Sequence, residues 1–328
     1  MTHAYDQLTP DTVLNAIDDV MAASGQMTSG HLLALNSYEN RVYQVGMEDS
    51  APLVAKFYRP DRWSDQAIYQ EHDFCLAAKE DELPVIAPIQ LDGETLFHYQ
   101  GFRFALYPRQ GGQSELIERS EDFEQMGRLL ARLHQTANAC EAHLRPEMTP
   151  ATFAVANRTF LLENHWIPDS LIPAYESVSR DVIEQVEHVW RTHQPSLKLV
   201  HGDLHSGNLI WYQQQPIMLD LDDCARAPRI QDIWMMLHGE RDQMQSQLAD
   251  VAKGYEMFLP FPSHELPLIE ALRTMRLINY SAWLAKRWED PAFPMAFPWF
   301  NTERYWSEQI LTLREQMSAL QEPSLVLY

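Results

Sequence analysis

The sequence predicts an α+β protein of two lobes: a small antiparallel-sheet lobe with one main helix over residues 1–109, and a larger, mostly helical lobe over 110–328. Three observations carry that expectation. A chain of 328 residues exceeds what one core supports, about 250–300 residues. Its first third alternates short β-rich runs with turn residues. After Arg109 helical periodicity takes over, interrupted only at 197–223.

Thr9-Pro10-Asp11 reads as an N-cap, a first-turn proline and a dipole-favoured acid, and Val13, Ile17 and Val20 follow at helical spacing. From His31 to Pro60 the runs HLLAL, NRVYQV and PLVAKFY predict three antiparallel strands. Ser64 caps a helix to about Glu80 with Ile68, Phe74, Cys75 and Ala78 as its apolar positions, and Pro84 and Pro88 stop it. GFRFALYP closes the strand set, and the polar link RQGGQS marks the lobe boundary. Ser120 caps a helix with Phe123, Met126, Leu129, Leu130 and Leu133 on one face; further helices are expected near 181–193, 230–258, 264–289 and 303–320.

The composition narrows function. With 45% hydrophobic and 22% charged residues the chain can build a real core. Its net charge is −21, spread as 16 acids against 7 bases in residues 1–109 and 30 against 18 thereafter. Such a field opposes nucleic acid and anionic membranes and favours cationic partners. Three scattered cysteines without a CxxC pair, and no leader-like or 18-residue apolar run, point to a soluble cytoplasmic protein, expected to be a monomer.

The stretch KLVHGDLHSGNLIW holds Asp203 and Asn208 five residues apart, and Asp220 follows the apolar run IML twelve residues later. Phosphoryl transfer needs an acceptor-orienting carboxylate and hard oxygen ligands for a divalent cation, and these residues supply both. Asp220, Asp222 and Asp223 crowd carboxylates that a cation such as Mg2+ would relieve. Asp220 is the first choice of ligand, and Asp222 the second, since strand alternation would put both on one side. Lys56, in VAKF, fits a strand lysine holding nucleotide phosphates, and Glu71 on the next helix fits its ion-pair partner. Plainer readings stand beside these. His201, Asp203 and His205 form H-x-D-x-H, a possible zinc triplet; Lys56 as an ordinary strand lysine would face water. The aromatic tract from Trp288 to Trp306 reads as a proline-braced core cap.

HGDLHSGN, LARLH, the strand lysine and Gln231-Asp232 resemble the aminoglycoside phosphotransferase and choline kinase group, a branch of the protein-kinase-like fold. LNSYENRVYQ, VAKFYRP, LDLDD and RWEDPAFPMAFPWF are similar, more narrowly, to the stress response kinase A family. That resemblance implies a cytoplasmic Ser/Thr protein kinase using ATP and Mg2+. Asp203 would accept the proton, and Asn208 and Asp220 would hold Mg2+. Lys56 would lie on the ATP phosphates with Glu71 behind it, Ser37 beside ATP, and Asp232 would brace the catalytic loop. Two departures stand out. The first hairpin, NSYENRVY, contains no glycine, so Ser37 and Asn40 would have to replace backbone N–H contacts. Asp220 and Asp232 are twelve residues apart, which leaves no room for an activation segment. The resemblance implies protein Ser/Thr acceptors, whereas the missing activation segment and the strong acidity also suit a cationic amino sugar or amino alcohol, the alternative acceptor. A nucleotide-binding regulator with weak turnover is the second alternative.

Overall fold

A computed structural model describes Tyr5, residues 7–35 and residues 37–327. Asn36, within the LNSYENRVYQ string, and residues 1–4, read above for a leader, lie outside the described residues. The chain forms two compact units: Met1–Leu116 with Ala139–Arg145 and His205–Asp223, and Ile117–Asn138 with Pro146–Leu204 and Cys224–Tyr328.

In the first unit, helix α1 (Pro10–Met21) starts where the Thr9 hydroxyl accepts from the Thr12 N–H. Strands β1 (Thr28–Leu35), β2 (Arg41–Met47) and β3 (Leu53–Phe57) follow, then helix α2 (Asp65–Glu80) and strands β4 (Phe97–Tyr99) and β5 (Phe102–Pro108). The five strands make one antiparallel sheet in the order β1-β2-β3-β5-β4. Val13, Ala16, Ile17 and Met21 of α1 are buried with Val45, Ala55, Phe57, Phe104 and Leu106 of the sheet. Each fully buried large side chain contributes roughly 1.5–3 kcal/mol.

Ser64 caps α2 through the Ala67 N–H, and all four apolar positions expected of that helix are buried. α2 ends before the prolines reach it, because Glu82 turns left-handed (φ 58°) and the Leu83 N–H bonds back to the Ala78 carbonyl. α2 also buries Gln70, Glu71 and His72, which a sheet-packing helix tolerates only with partners. His72 has them in Tyr58 at 2.7 Å and Thr95 at 2.8 Å, and Gln70 accepts from the Leu144 N–H.

The second unit is helical. α3 (Ser120–Thr136) begins one residue earlier than expected, with Arg119 as N-cap and Ser120 already helical, and its five expected apolar residues are all buried. Capped by Thr149, a wide turn over Pro150–Val155 runs into α4 (Ala156–Glu163), for which the sequence offered no clear periodicity. Then come α5 (Ile172–His193), β6 (Lys198–Val200), β7 (Leu209–Tyr212), β8 (Gln215–Met218) and β9 (Ala225–Ala227); β7 and β8 form a hairpin in the first unit, and β6 pairs with β9 in the second. The single helix expected over 230–258 is two, α6 (Ile230–Trp234) and α7 (Arg241–Tyr255). Gly239 (φ 87°) breaks it, and the Gln243 side chain accepts from the Glu240 N–H. α8 (Ile269–Lys286), α9 (Ala292–Ala296) and α10 (Glu303–Ala319) complete the chain. α3 and α7 approach so closely that a Cβ on Gly254 would lie 1.9 Å from the Glu124 carbonyl oxygen, and one on Gly127 2.0 Å from that of Val251. Among the described residues no helix is long and apolar enough to cross a membrane.

Candidate active site

Lys56 is the centre of the first unit's polar interior. On β3, Ala55 and Phe57 face the core shared with α1, so strand alternation turns Lys56 to the other face of the sheet, where Glu71 of α2 meets it. Its Nζ lies 3.1 Å from Glu71 Oε1 on α2, 2.9 Å from Asp220 Oδ1 just past β8, and 3.5 Å from Asp222 Oδ1. Lys56 therefore does not face water; its side chain is 7% exposed. Burial works against the ammonium, yet Asp220, Asp222 and Glu71 outweigh it and hold the pKa well above the ordinary lysine value. The three carboxylates differ. Glu71 is buried with one oxygen, Oε2, lacking a hydrogen-bond partner among the described residues; burial lifts its carboxyl to about 7 against the pull of Lys56. Asp222 is equally buried, but Arg62, Lys56 and Arg145 overcome burial and hold its carboxyl below the usual range. Asp220 is open, its side chain 52% exposed.

The loop explains the difference. The β7–β8 register pairs Leu209 with Met218, and one step further the Leu219 N–H donates to the Asn208 carbonyl at 2.9 Å. Asn208 and Asp220 are thereby fastened across the mouth of one hairpin. At Asp220 the backbone turns left-handed (φ 54°), which Asp and Asn tolerate better than most residues, and enters a tight turn over Leu221–Asp223. Strand alternation thus does not govern Asp222. The turn drives it inward, where Arg62 bonds both Asp222 and Asp223, Asn40 donates to Asp222 Oδ2 at 3.0 Å, and Arg145 reaches the Asp222 carbonyl. A carboxylate so surrounded is a clamp, and the exposed Asp220 is the better placed of the two to meet a ligand.

Ser37 sits in the β1–β2 hairpin, half-buried, its hydroxyl donating to the Asn40 carbonyl at 3.0 Å. The Asn40 side chain is engaged within the first unit: its Oδ1 accepts from the Arg59 N–H, and its Nδ2 donates to Asp222.

Asp203, the turn at Gly202 just before it, and Asp232 belong to the second unit. Gly202 adopts φ 86° and its N–H and that of His201 both donate to the fully buried Asp232 carboxylate at 2.8 Å. His134, at the end of α3, meets the same carboxylate at 3.1 Å and Tyr255 of α7 at 2.8 Å. Gln231 adds a bond to the Gly202 carbonyl. Asp232 thus fixes the backbone immediately before Asp203. The Asp203 side chain meets Arg276 of α8, Nη1 to Oδ1 2.6 Å. His201 is fully buried, and His205 Nδ1 accepts from the Gly207 N–H at 2.9 Å, which engages it within its own turn. Among the described residues no three His, Cys, Asp or Glu side chains gather as a metal cage.

Arg62, Asn40, Arg145 and Arg276, the cationic and amide partners of Asp222 and Asp203, carry no sequence signal of that role. Their partners lie 73 to 182 residues away in sequence, where periodicity carries no signal.

Residues 31–272 match the phosphotransferase enzyme family. The chain is 41% identical over 323 residues to stress response kinase A of Escherichia coli (strain K12), and 40% identical over 323 residues to the serine/threonine protein kinase RdoA of Salmonella typhimurium; each comparison covers 98% of this chain and 97% of the relative. Among solved structures, the amicoumacin kinase hAmiN in complex with AMP-PNP, Ca2+ and Ami matches with TM-score 0.69 at 17% identity, covering 96% of this chain and 97% of that one. The microcompartment-associated aminopropanol kinase matches with TM-score 0.64 at 16% identity, covering 93% and 96%. These two likenesses establish the protein-kinase-like fold.

Proposed function

The chain belongs to the phosphotransferase enzyme family, within its stress response kinase A branch, and on that premise we propose that it transfers the γ-phosphoryl group of ATP, with Mg2+, to Ser/Thr hydroxyls of proteins in a stress response. The observation that carries the reading is the buried Lys56 ammonium, shared between Glu71 at 3.1 Å and the exposed carboxylate of Asp220 at 2.9 Å. It is a cation kept charged, aimed from behind by one acid and meeting the ligand side through another.

The donors suit the cofactor. Asp220 offers a half-exposed carboxylate and Asn208, on the same hairpin mouth, an amide oxygen, both hard ligands of the kind Mg2+ prefers. When bound, Mg2+ and ATP supply the transferable phosphoryl group and neutralise its charge. Lys56 binds and orients the phosphates, and Glu71 fixes Lys56. Ser37 would sit beside the nucleotide. Asp203 orients the acceptor hydroxyl and takes its proton, from a loop whose backbone Asp232 holds still. An ordinary carboxylate is a sufficient base here, because proton transfer can lag in a loose transition state. In this reading the lobes are residues 1–109 and 110–328, and the enzyme works as a cytoplasmic monomer.

Incubating the purified chain with γ-labelled ATP and cell extract, then with small amino alcohols and amino sugars, tests the acceptor. Label in protein Ser/Thr is expected, and label confined to small molecules would overturn it. Asp203→Asn should lower transfer by roughly 10²–10⁴-fold with nucleotide binding unchanged; undiminished transfer would remove the assigned base.

A further inference from the structure

The proposed base carries a cation of its own. Arg276, midway along α8, places Nη1 2.6 Å from Asp203 Oδ1, and the two side chains are 40% and 23% exposed. An ion pair this open adds little to stability, and the backbone before Asp203 is already held by the fully buried Asp232. The pair must therefore be read by what it presents to an incoming acceptor. Arg276 offsets the Asp203 charge, so an ammonium-bearing acceptor finds no net attraction there and a guanidinium at close range. A guanidinium has five N–H donors in a planar fork shaped for carboxylates, and Asp203 engages Nη1.

The surrounding surface extends this chemistry. One turn earlier on α8, Arg273 lies 5.2 Å over the Trp234 ring and pairs with Glu270 at 3.3 Å. One turn later, Tyr280 and Trp283 stack with centroids 5.8 Å apart and planes at 15°. Arg273, Arg276, Tyr280 and Trp283 follow at i, i+3, i+7 and i+10, a single stripe of the helix. On a chain of net charge −21, whose overall field draws cations, an arginine beside the acceptor position cancels that attraction locally and places a guanidinium within reach of the acceptor.

We propose that Arg276 determines acceptor specificity: it selects a polypeptide Ser or Thr flanked by a carboxylate side chain and rejects acceptors with a cation next to the hydroxyl. This rests on Asp203 being the acceptor-orienting base. The stacked Tyr280–Trp283 ledge is where the remainder of the segment lies.

The test uses two acceptor pairs that differ only in charge beside the hydroxyl: degenerate Ser/Thr peptide pools with adjacent Glu or Lys, and a small hydroxy acid against an amino alcohol. kcat/KM is measured for the wild type, Arg276→Gln and Arg276→Glu, with circular dichroism to verify the fold. The acidic member should be favoured by about tenfold or more in the wild type, the ratio should collapse towards one in Arg276→Gln, and it should invert in Arg276→Glu. An arginine that merely positions Asp203 would lower all acceptors in proportion, and an unmoved ratio overturns the proposal. Binding of the same fluorescently labelled pools, read by anisotropy, gives the ratio independently of turnover; equal binding of both pools also overturns it. Asp203→Asn run alongside separates the two claims. Full transfer by that variant removes the base, whereas loss of transfer with an unmoved charge ratio removes only the role of Arg276.

Discussion

Asp222→Asn should destabilise the first unit's polar centre, although the substituted side chain keeps its shape. The carboxylate lies 3.5 Å from Lys56, at 3% and 7% side-chain exposure. With an effective dielectric of ~20 that single attraction amounts to about 5 kcal/mol, Arg62 adds a second cation, and Asn40 a charge-assisted hydrogen bond of about 1.5–3 kcal/mol. Keeping the carboxylate out of water costs several kcal/mol in return, and breaking such a cluster from one side typically costs about 3–5 kcal/mol net. Urea unfolding followed by circular dichroism and tryptophan fluorescence reads this out; Trp63, against Arg62 at 4.9 Å and Arg145 at 4.2 Å, is a reporter at the cluster. The pH dependence has a definite sign. Asp222 has its folded pKa depressed below the ordinary 3.8, so its contribution is present above that value and is lost as pH falls through the lower folded one. The deficit of the variant should be full at pH 7 and shrink in strong acid. Asp220→Asn removes the nearest carboxylate from the buried Lys56 ammonium but at a half-exposed site, so it should cost less stability than Asp222→Asn and abolish most transfer. Stability of Asp222→Asn within about 0.5 kcal/mol of wild type at pH 7 would refute the clamp.

Two further outcomes follow from buried groups. Glu71 has its folded pKa raised from 4.5 to about 7 by burial, so the stability it contributes is complete below 4.5 and is lost as pH rises through 7. Glu71→Gln should therefore flatten the stability profile across that window, by an amount on the order of 3 kcal/mol, and reduce transfer; an unchanged profile would contradict the raised pKa. Gly254→Ala places a Cβ 1.9 Å from the Glu124 carbonyl oxygen, and forcing α3 and α7 apart should cost roughly 1–3 kcal/mol or more. A thermal melt indistinguishable from wild type would show that the two helices yield freely.

What the sequence reveals here is local, and what it hides is distant. Thr9 and Ser64 announce their helices because a cap acts within three residues. Lys56 and Glu71 are legible together because a strand followed by one helix leaves few ways to bring them close. The break in the 230–258 segment had a visible signal in His238-Gly239, overridden by the apolar spacing on either side. α4 escaped because it opens with a wide turn that shifts the helical phase at Val155. The partners of Asp222 and Asp203 are illegible for a different reason: an arginine in a turn, like Arg62 and Arg145, or on a helix, like Arg276, reads as solvated until tertiary packing gives it a carboxylate.

Asp222 also sets a timetable. Its bonds to Asn40 and Arg62 span 182 and 160 residues, so the earliest sheet of the protein cannot finish its interior until the chain has been made as far as that turn. At synthesis rates of about 5–20 residues per second the nascent sheet waits several seconds to tens of seconds with Lys56 and Arg62 lacking this counter-charge. A fragment ending near Leu116 would emerge with the same deficit permanently, and a chaperone, or the ribosome's own surface, is what such an interval calls for.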